Sequence, residues 1–382
     1  MQNANASVFI INAVLTNNGD AALVFGLHDA LRKEGVSSTI LTMHYDQIKD
    51  FYGNYPLVRD RSSAWIFIKL PWLRSVFARW QMKTFPAFRE AAVILGCPGG
   101  YMNSTYGVAN KLALFREAKQ KGKRSAIYAQ SFGPFTAFDQ ELMRSYQGDI
   151  DVMMARDGWS VQNLVECGVD ATRIMQSNDA AFLLDDLSSL NQSRRVAVSV
   201  RDWKADGRDT KVYERMMVAM IESVVMDGYD VVMLSTCQGL PGYVDDSKCA
   251  QRIVGLLSDD VRQNVQVDSG YHTLDELREL LRHFHFTIGT RLHMCVLSMK
   301  SGTPALNISY EEKGRAMYEY LGFKEYTIDY NGDSEQAVAA LKKFGERIEE
   351  LRPKVWDAMQ HQHTKALEHL RDLLKCLGVK PQ

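Results

Sequence analysis

What this sequence lacks removes several function classes at once. It has no basic excess: 45 Lys and Arg stand against 46 Asp and Glu in 382 residues, for a net charge of −1 and a pI near 6.8. Nucleic-acid binding needs a basic footprint, so that partner class is excluded. No run of 18 apolar residues occurs, and nothing reads as a transmembrane helix. The opening MQNANASVFIINAV has no basic n-region, and its apolar run is too short for a signal peptide, so a cytoplasmic location is expected. The six cysteines (Cys97, Cys167, Cys237, Cys249, Cys295 and Cys376) form no CxxC pair, and no His cluster has metal-ligand spacing. They read as reduced, buried thiols, and no metal site is expected. GxGxxG is missing too, so there is no dinucleotide fingerprint.

What is present is an alternation of short apolar runs with helical patterns. With 46% apolar and 24% charged residues, the chain has the composition of a globular protein rather than a disordered one. Val8–Ile11, Ser38–Met43, Ala92–Leu95, Ser125–Ala129 and Val152–Ala155 read as strands of a first series. Val196–Val200, Asp230–Leu234, Val265–Val267, Phe286–Ile288 and Ala305–Ile308 read as a second, with helices over 212–227, 245–257 and 274–283. Apolar runs without polar alternation suit strands buried on both faces, and the helices suit βαβ crossovers. The expectation is an α/β protein of two doubly wound, Rossmann-like domains, 1–186 and 194–333, joined by a linker over Asp185–Ser193. The tail over 334–382 reads as helices packing across the domains.

One segment departs from this scheme. Residues 65–84 carry Trp65, Trp72 and Trp80 with Lys69, Arg74, Arg79 and Lys83, and no acidic residue. Aromatics interleaved with cations suit a helix lying in a membrane interface, and equally an insertion whose aromatics enter the core.

In open α/β sheets ligands lie beyond the carboxyl ends of strands, so the strand-to-helix turns carry the candidate sites. After the first strand, Asn17-Asn18-Gly19-Asp20 offers a tight turn and a carboxylate that either caps the helix or holds a ligand hydroxyl. Gly96-Cys97-Pro98-Gly99-Gly100-Tyr101-Met102-Asn103 reads as a loop whose glycines permit close backbone approach, or as a merely flexible one. Gln130-Ser131 opens the next turn, and at Arg156-Asp157 the Asp reads as a helix cap and the Arg as a partner for a carboxylate. In the second half Arg201 follows a strand directly. Gly289-Thr290-Arg291-Leu292-His293 leads from a strand into a helix, whose free N–H groups and partial positive charge favour an anion. Arg291 adds a planar donor fork and His293 a group that titrates near neutral pH. Lys313 follows the next strand. A single Arg or His at such a turn is often structural, but these cations together point to a small, multiply charged anion.

These turns, in this order, resemble the polysaccharide pyruvyl transferase family. The matching pieces are NNGDAAL (17–23), GCPGGYMNS (96–104), AQSFGPF (129–135), ARDGWSVQNLVECGV (155–169), SNDAAF (177–182), VSVRDW (198–203) and GTRLHMCVLSMKSGTPALNISYEEK (289–313). The glycine-rich loop, often GGG with a later Asp in the family, is GCPGGYMNS here. The resemblance implies a GT-B-like fold, two Rossmann-like domains facing a cleft. It also implies transfer of the carboxyethylidene group of phosphoenolpyruvate onto two hydroxyls of a sugar, with release of phosphate and no further cofactor. It assigns the donor to Gly289, Thr290, Arg291, Leu292, His293, Arg201 and Lys313. Asn18, Asp20, Gly100, Tyr101, Asn103, Gln130 and Ser131 fall on the acceptor side. His293 is the candidate acid or phosphate ligand, and Asp20 the candidate base. A GT-B glycosyltransferase using a nucleotide sugar and a non-catalytic sugar- or anion-binding protein are the rival readings.

Acceptors in such pathways are commonly built on a lipid carrier, which connects to residues 65–84. An enzyme resting on the inner leaflet gains effective concentration of an anchored substrate. Replacing Trp72 and Trp80 with Ser is therefore expected to weaken sedimentation with anionic liposomes, and unchanged sedimentation would remove the membrane reading.

Overall fold

Strands rich in Val, Ile and Phe on both faces need a parallel sheet covered by helices, and the chain builds two such sheets. The computed structural model describes residues 7–63, 71–190 and 194–379; the side chains of 63–75 also lie outside the described residues. The chain divides into two units. One comprises the residues up to Thr16, Asp20–Leu184 and those from Gln362 onward; the other comprises Asn17–Gly19 and Asp185–His361.

The first unit holds β1 (Ser7–Ala13), β2 (Ser37–Thr42), β3 (Leu57–Arg59), β4 (Val93–Gly96), β5 (Gly99–Met102), β6 (Arg124–Phe132), β7 (Val152–Ala155) and β8 (Ile174–Gln176). They form an 8-stranded sheet in the order β3-β2-β1-β4-β6-β7-β8, with β5 beside β6. Its pairings are parallel. Helices Pro71–Thr84, Ala109–Gln120, Ala137–Tyr146 and Gly158–Glu166 contribute Met82, Phe115, Met143 and Leu164 to one core cluster with Phe9, Ile94 and Met153. The glycine-rich stretch is not simply a loop, because Gly99–Met102 forms β5. Its backbone is satisfied along β6: the Tyr101 amide donates to the Gln130 side chain at 3.2 Å, and the Gly133 amide to the Met102 carbonyl at 2.8 Å.

The second unit holds β9 (Arg195–Ser199), β10 (Asp230–Met233), β11 (Val265–Val267), β12 (Phe286–Gly289), β13 (Ala305–Ser309) and β14 (Thr327–Asp329). Their order is β11-β10-β9-β12-β13-β14, and the pairings are again parallel. Local chemistry starts the covering helices. The Asp209 carboxylate accepts from the amides of Lys211 and Val212 at the head of Thr210–Met226. Thr273 and Glu276 form a capping box at the head of Leu274–Leu281. β3, β8 and β14, each of 3 residues, are strands that the sequence expectation did not include.

The expected linker is a strap rather than a loose connection. Leu187 and Leu190 donate their amides to the carbonyls of Lys300 and Arg282, each at 2.8 Å, and Arg282 Nε reaches the Ser188 carbonyl at 2.9 Å. Gly302, at φ +77°, makes room for it: a Cβ there would lie 2.4 Å from the Ser189 nitrogen. Beneath the strap Lys300 and Asp186 are buried together, with Nζ 2.7 Å from Oδ1. Burial pulls the Lys300 pKa down to about 8, although the Asp186 carboxylate acts in the opposite direction.

The C-terminal segment is divided between the units. Helix Ser334–Glu346 groups with the second, and the 29-residue helix Ile348–Cys376 changes unit at Gln362. Five cysteines are buried, but Cys376 is exposed: Leu373, Leu374 and Leu377 form the buried stripe at that helix end, and Cys376 falls outside it. Among the described residues no helix is long and apolar enough to cross a membrane.

Removing one member of a buried ion pair leaves an uncompensated charge. Lys300→Met is expected to cost about 3–5 kcal/mol in urea unfolding, and adding Asp186→Leu to recover most of it. Equal stability of Lys300→Met and the parent would show that the pair does not hold the strap.

Candidate functional site

Both sheets reverse their strand order once, and ligands in such folds bind beyond the carboxyl ends of the strands at that reversal. In the second unit the reversal lies between β9 and β12. Ser199 sits beside Gly289 in that pairing, so Arg201 and Arg291 emerge from two adjacent strand ends. β13 is the next strand outward and delivers Tyr310 and Lys313 to the same edge. The cations that the sequence sets far apart are therefore gathered by strand order.

Tyr213, on helix Thr210–Met226, ties these turns together. Its hydroxyl lies 2.7 Å from Thr290 Oγ1 and accepts the Arg201 amide at 3.4 Å, while the Thr290 amide donates to the Ser199 carbonyl at 2.8 Å. The Tyr213 ring stacks on Tyr330 with centroids 4.0 Å apart and planes within 5°. The Tyr330 hydroxyl accepts the Trp203 amide at 3.1 Å and donates to the Arg201 carbonyl at 3.2 Å. Two buried phenols thus fix the backbone on either side of the reversal.

Each arginine is held by its surroundings. The Arg201 guanidinium carbon lies 4.5 Å from the Trp203 ring centroid and 4.7 Å from that of Tyr310, and its Nη1 donates to the Tyr310 hydroxyl. The two rings also touch each other, with centroids 4.7 Å apart, so they hold the cation from one side while the Tyr310 hydroxyl takes one of its five N–H donors. Arg291 makes a two-point contact with Asp246, through Nε and through Nη2 at 2.9 Å. Asp246, almost fully buried, also accepts from Ser235 Oγ at 2.6 Å. Burial alone would lower the Arg291 pKa; its hydrogen bonds and charge contact with Asp246 outweigh that and raise it above the usual arginine value. Arg291 thus stays charged while two of its five donors are committed.

Gly289 lets the turn pack closely on its helix, since a Cβ there would lie 2.5 Å from Cys295 Sγ and the thiol would have to move. Thr290 is buried beneath the turn, and Leu292 and His293 are half-buried in the first turn of helix Leu292–Lys300. Gly19 borders His293: an added Cβ would meet His293 Cβ at 3.0 Å and Nδ1 at 3.2 Å. Asn18, expected on the acceptor side, groups with the second unit, where its amide donates to the Thr236 carbonyl at 2.8 Å and its side chain to the His272 carbonyl at 3.0 Å. Lys313 is exposed in the first turn of helix Glu312–Tyr320.

The other acceptor-side residues lie at the carboxyl edge of the first sheet and hold one another. The Tyr101 hydroxyl donates to the Cys97 carbonyl at 2.5 Å, and Gln130 Nε2 reaches the same carbonyl at 3.2 Å. Asn103 Nδ2 closes on the Gly100 carbonyl at 2.9 Å. Arg156 donates to Ser131 Oγ and to Asp179, each at 2.8 Å, and Ser131 in turn to Asp157 at 3.1 Å. Asp157 caps its helix as expected, accepting the Ser160 amide. Burial above all, with a smaller contribution from the charge of Asp20 in the first turn of helix Asn18–Lys33, disfavours ionisation of Cys97 and Tyr101. Among the described residues no group of three or more His, Cys, Asp or Glu could hold a metal.

The sequence reading passed over Asp246, Tyr213 and Tyr330. Asp246 stands in a plain DD pair before a helix, and the tyrosines sit in a helix and a loop, so only their neighbours in space reveal them. Trp203 and Tyr310 lie inside the quoted motifs, but nothing in those motifs shows that both rings touch Arg201.

Known proteins agree with this architecture. The chain resembles a UDP-GlcNAc 2-epimerase from Neisseria meningitidis bound to UDP-GlcNAc (TM-score 0.60, 11% identity) and Anabaena HepE in complex with UDP-glucose (TM-score 0.61, 10% identity). It also resembles MurG from Acinetobacter baumannii (TM-score 0.54, 11% identity). Each likeness covers 97% of this chain and 99% of the other, and at such identities it shows the GT-B-type fold alone. In sequence, the amylovoran biosynthesis protein AmsJ of Erwinia amylovora is 27% identical over 277 residues, 66% of this chain and 65% of that protein. The match thus spans just under two thirds of that relative's length. The family model for polysaccharide pyruvyl transferase matches residues 17–312, from the turn after β1 to the start of the helix that carries Lys313, and includes the strand-order reversal of the second sheet. With that match across most of its length, the chain belongs to the polysaccharide pyruvyl transferase family.

Proposed function

We propose that this protein moves the carboxyethylidene group of phosphoenolpyruvate onto two hydroxyls of a sugar during cell-surface polysaccharide biosynthesis. Membership of the family and likeness to an amylovoran biosynthesis protein support a transferase role in that biosynthesis. The observation that carries the donor is the pair Arg201 and Arg291 on adjacent strand ends at the reversal of the second sheet. Phosphoenolpyruvate has a carboxylate and a phosphate on a three-carbon frame, and two guanidinium edges with a helix N-terminus match that charge.

In this reading Arg201 offers its N–H edge to one anionic group. Arg291, oriented by Asp246, offers its remaining donors to the other. A protonated His293 delivers a proton to the methylene carbon, converting it to methyl. The cation left at the neighbouring carbon is captured by one sugar oxygen as that hydroxyl loses its proton. Departure of phosphate then lets the second hydroxyl oxygen close the ketal, releasing a second proton. Asp20 is the proposed base. No redox cofactor enters this balance. The acceptor is proposed to be assembled on a lipid carrier at the inner leaflet, with residues 65–84 resting there. In that segment Trp80 and Val76 are exposed, whereas Trp65, Lys69 and the side chains of Trp72 and Arg74 lie outside the described residues.

A second reading, a glycosyltransferase acting on a nucleotide sugar, draws on fold relatives seen with UDP-glucose and UDP-GlcNAc. Thermal unfolding separates the two. A ligand that binds only the native state at about 100 times its Kd adds about 2.7 kcal/mol. Millimolar phosphoenolpyruvate is expected to raise the midpoint by several degrees, and Arg201→Ala to abolish that rise. Arg291→Ala should also lower the midpoint without ligand, because Asp246 is left buried without its cation. A rise with UDP-sugars but not with phosphoenolpyruvate would transfer the protein to the glycosyltransferases.

A further inference from the structure

Three large aromatic side chains stand out from the carboxyl edge of the first sheet. Tyr106, Phe138 and Trp159 are 68%, 72% and 67% exposed, although burial is the usual fate of rings this size. They occupy equivalent places. Tyr106 lies just before helix Ala109–Gln120, and Phe138 and Trp159 are the second residues of helices Ala137–Tyr146 and Gly158–Glu166. All three helices feed the same core cluster, so their starts line one face of the sheet at one edge. At interaxial distances of 8–10 Å, three neighbouring helix starts span about 20 Å.

The mounts are rigid. Tyr106 donates its amide to Asn103 Oδ1 at 3.2 Å. The Thr136 amide donates to Ser104 Oγ at 2.8 Å, and Ser104 Oγ in turn reaches Asp139, joining the first two segments ahead of Phe138. Asn163 Nδ2 donates to the Phe132 carbonyl at 2.7 Å and Ser160 Oγ accepts the Phe132 amide at 2.9 Å, joining the third segment to the second. On the same segments Thr136 is exposed and Ser104 and Asp157 are half-buried, whereas Ser131 and Asp139 are buried.

Charge selects the partner. Lys111 is folded back on the carbonyls of Tyr106 and Gly107, and Arg156 is engaged by Ser131 and Asp179. The remaining charged groups on these segment starts are acidic and also engaged, Asp139 with Ser104, Glu141 with Arg144 and Asp157 with Ser131, so the aromatics stand among groups with no spare cation. A surface for anionic lipid would show spare cations among its aromatics. Exposed rings around neutral and acidic hydrogen-bonding groups instead match a saccharide, whose C–H faces stack on rings while its hydroxyls donate to oxygen acceptors.

We propose that Tyr106, Phe138 and Trp159 form an extended saccharide subsite that holds the acceptor chain beyond the sugar being modified. The inference rests on the proposed function for its acceptor being a saccharide, but its test does not use the donor. The full chain would be labelled with 5-fluorotryptophan and the Trp159 resonance identified by its loss in Trp159→Phe. Cellotetraose, chitotetraose and β-1,4-galactotetraose would be titrated to millimolar levels, with phosphatidylcholine/phosphatidylglycerol vesicles as a separate arm.

At least one oligosaccharide is expected to shift the Trp159 resonance saturably. Tyr106→Ala and Phe138→Ala are each expected to weaken it about fivefold, in line with single aromatic contacts. Both residues are exposed, so these variants should keep the parent's thermal midpoint. No shift with any oligosaccharide would overturn the proposal, as would a shift unaffected by both variants. Vesicle binding lost in the Tyr106→Ala/Phe138→Ala/Trp159→Ala variant, without saccharide binding, would overturn it in favour of a membrane face. Protection by phosphoenolpyruvate, measured on the same sample, reports the donor reading independently: saccharide binding without that protection keeps this subsite and removes the donor.

Discussion

The second unit depends on keeping two backbone turns in register where its strand order reverses. A parallel sheet brings strand ends together but does not fix the loops beyond them. Here Tyr213 does so from a helix, with one hydroxyl touching both Thr290 and the Arg201 amide. Tyr330 backs it by stacking and clamps the Arg201–Trp203 turn from the other side. The positions of both guanidinium groups follow from that tie, because each emerges from a turn that it holds.

The electrostatics of the edge follow from the same packing. An arginine buried among apolar groups pays a desolvation penalty, and each of the two meets it differently. Arg201 rests against two rings and donates through Nη1 to the Tyr310 hydroxyl, which leaves part of its N–H edge uncommitted to Tyr310. Arg291 is neutralised along one edge by Asp246, which fixes the direction of the other. A strong anion site needs preoriented donors more than it needs net charge. Net charge along this edge is modest, since Asp246, Glu311 and Glu312 accompany Arg201, Arg291 and Lys313.

The first unit presents different chemistry at the corresponding edge. There the polar groups are mostly engaged with one another, giving a shaped surface of backbone, hydroxyls and exposed rings rather than a focus of positive charge. Two sheets of like topology thus offer contrasting edges, one carrying two held arginines and one carrying exposed rings beside polar groups that bond one another.

The sequence by itself determined the α/β class, the two strand series and the turns that bear Arg201, Arg291 and His293. Apolar runs buried on both faces and glycines at strand ends are local signals, readable from neighbours in the chain. It also carried the family resemblance, through motifs that sit on those same turns. Only the tertiary structure decided that Gly99–Met102 pairs as a strand, that the stretch from Asp185 is a strap pinned above a buried Lys300–Asp186 pair, and that Cys376 lies outside its helix's buried stripe. It alone gave Arg291 its partner Asp246, 45 residues away, and Arg201 its partner Tyr310, 109 residues away. The physical reason is the same in each case. These contacts join residues that strand order makes neighbours, and strand order is a property of the folded sheet that no local pattern records.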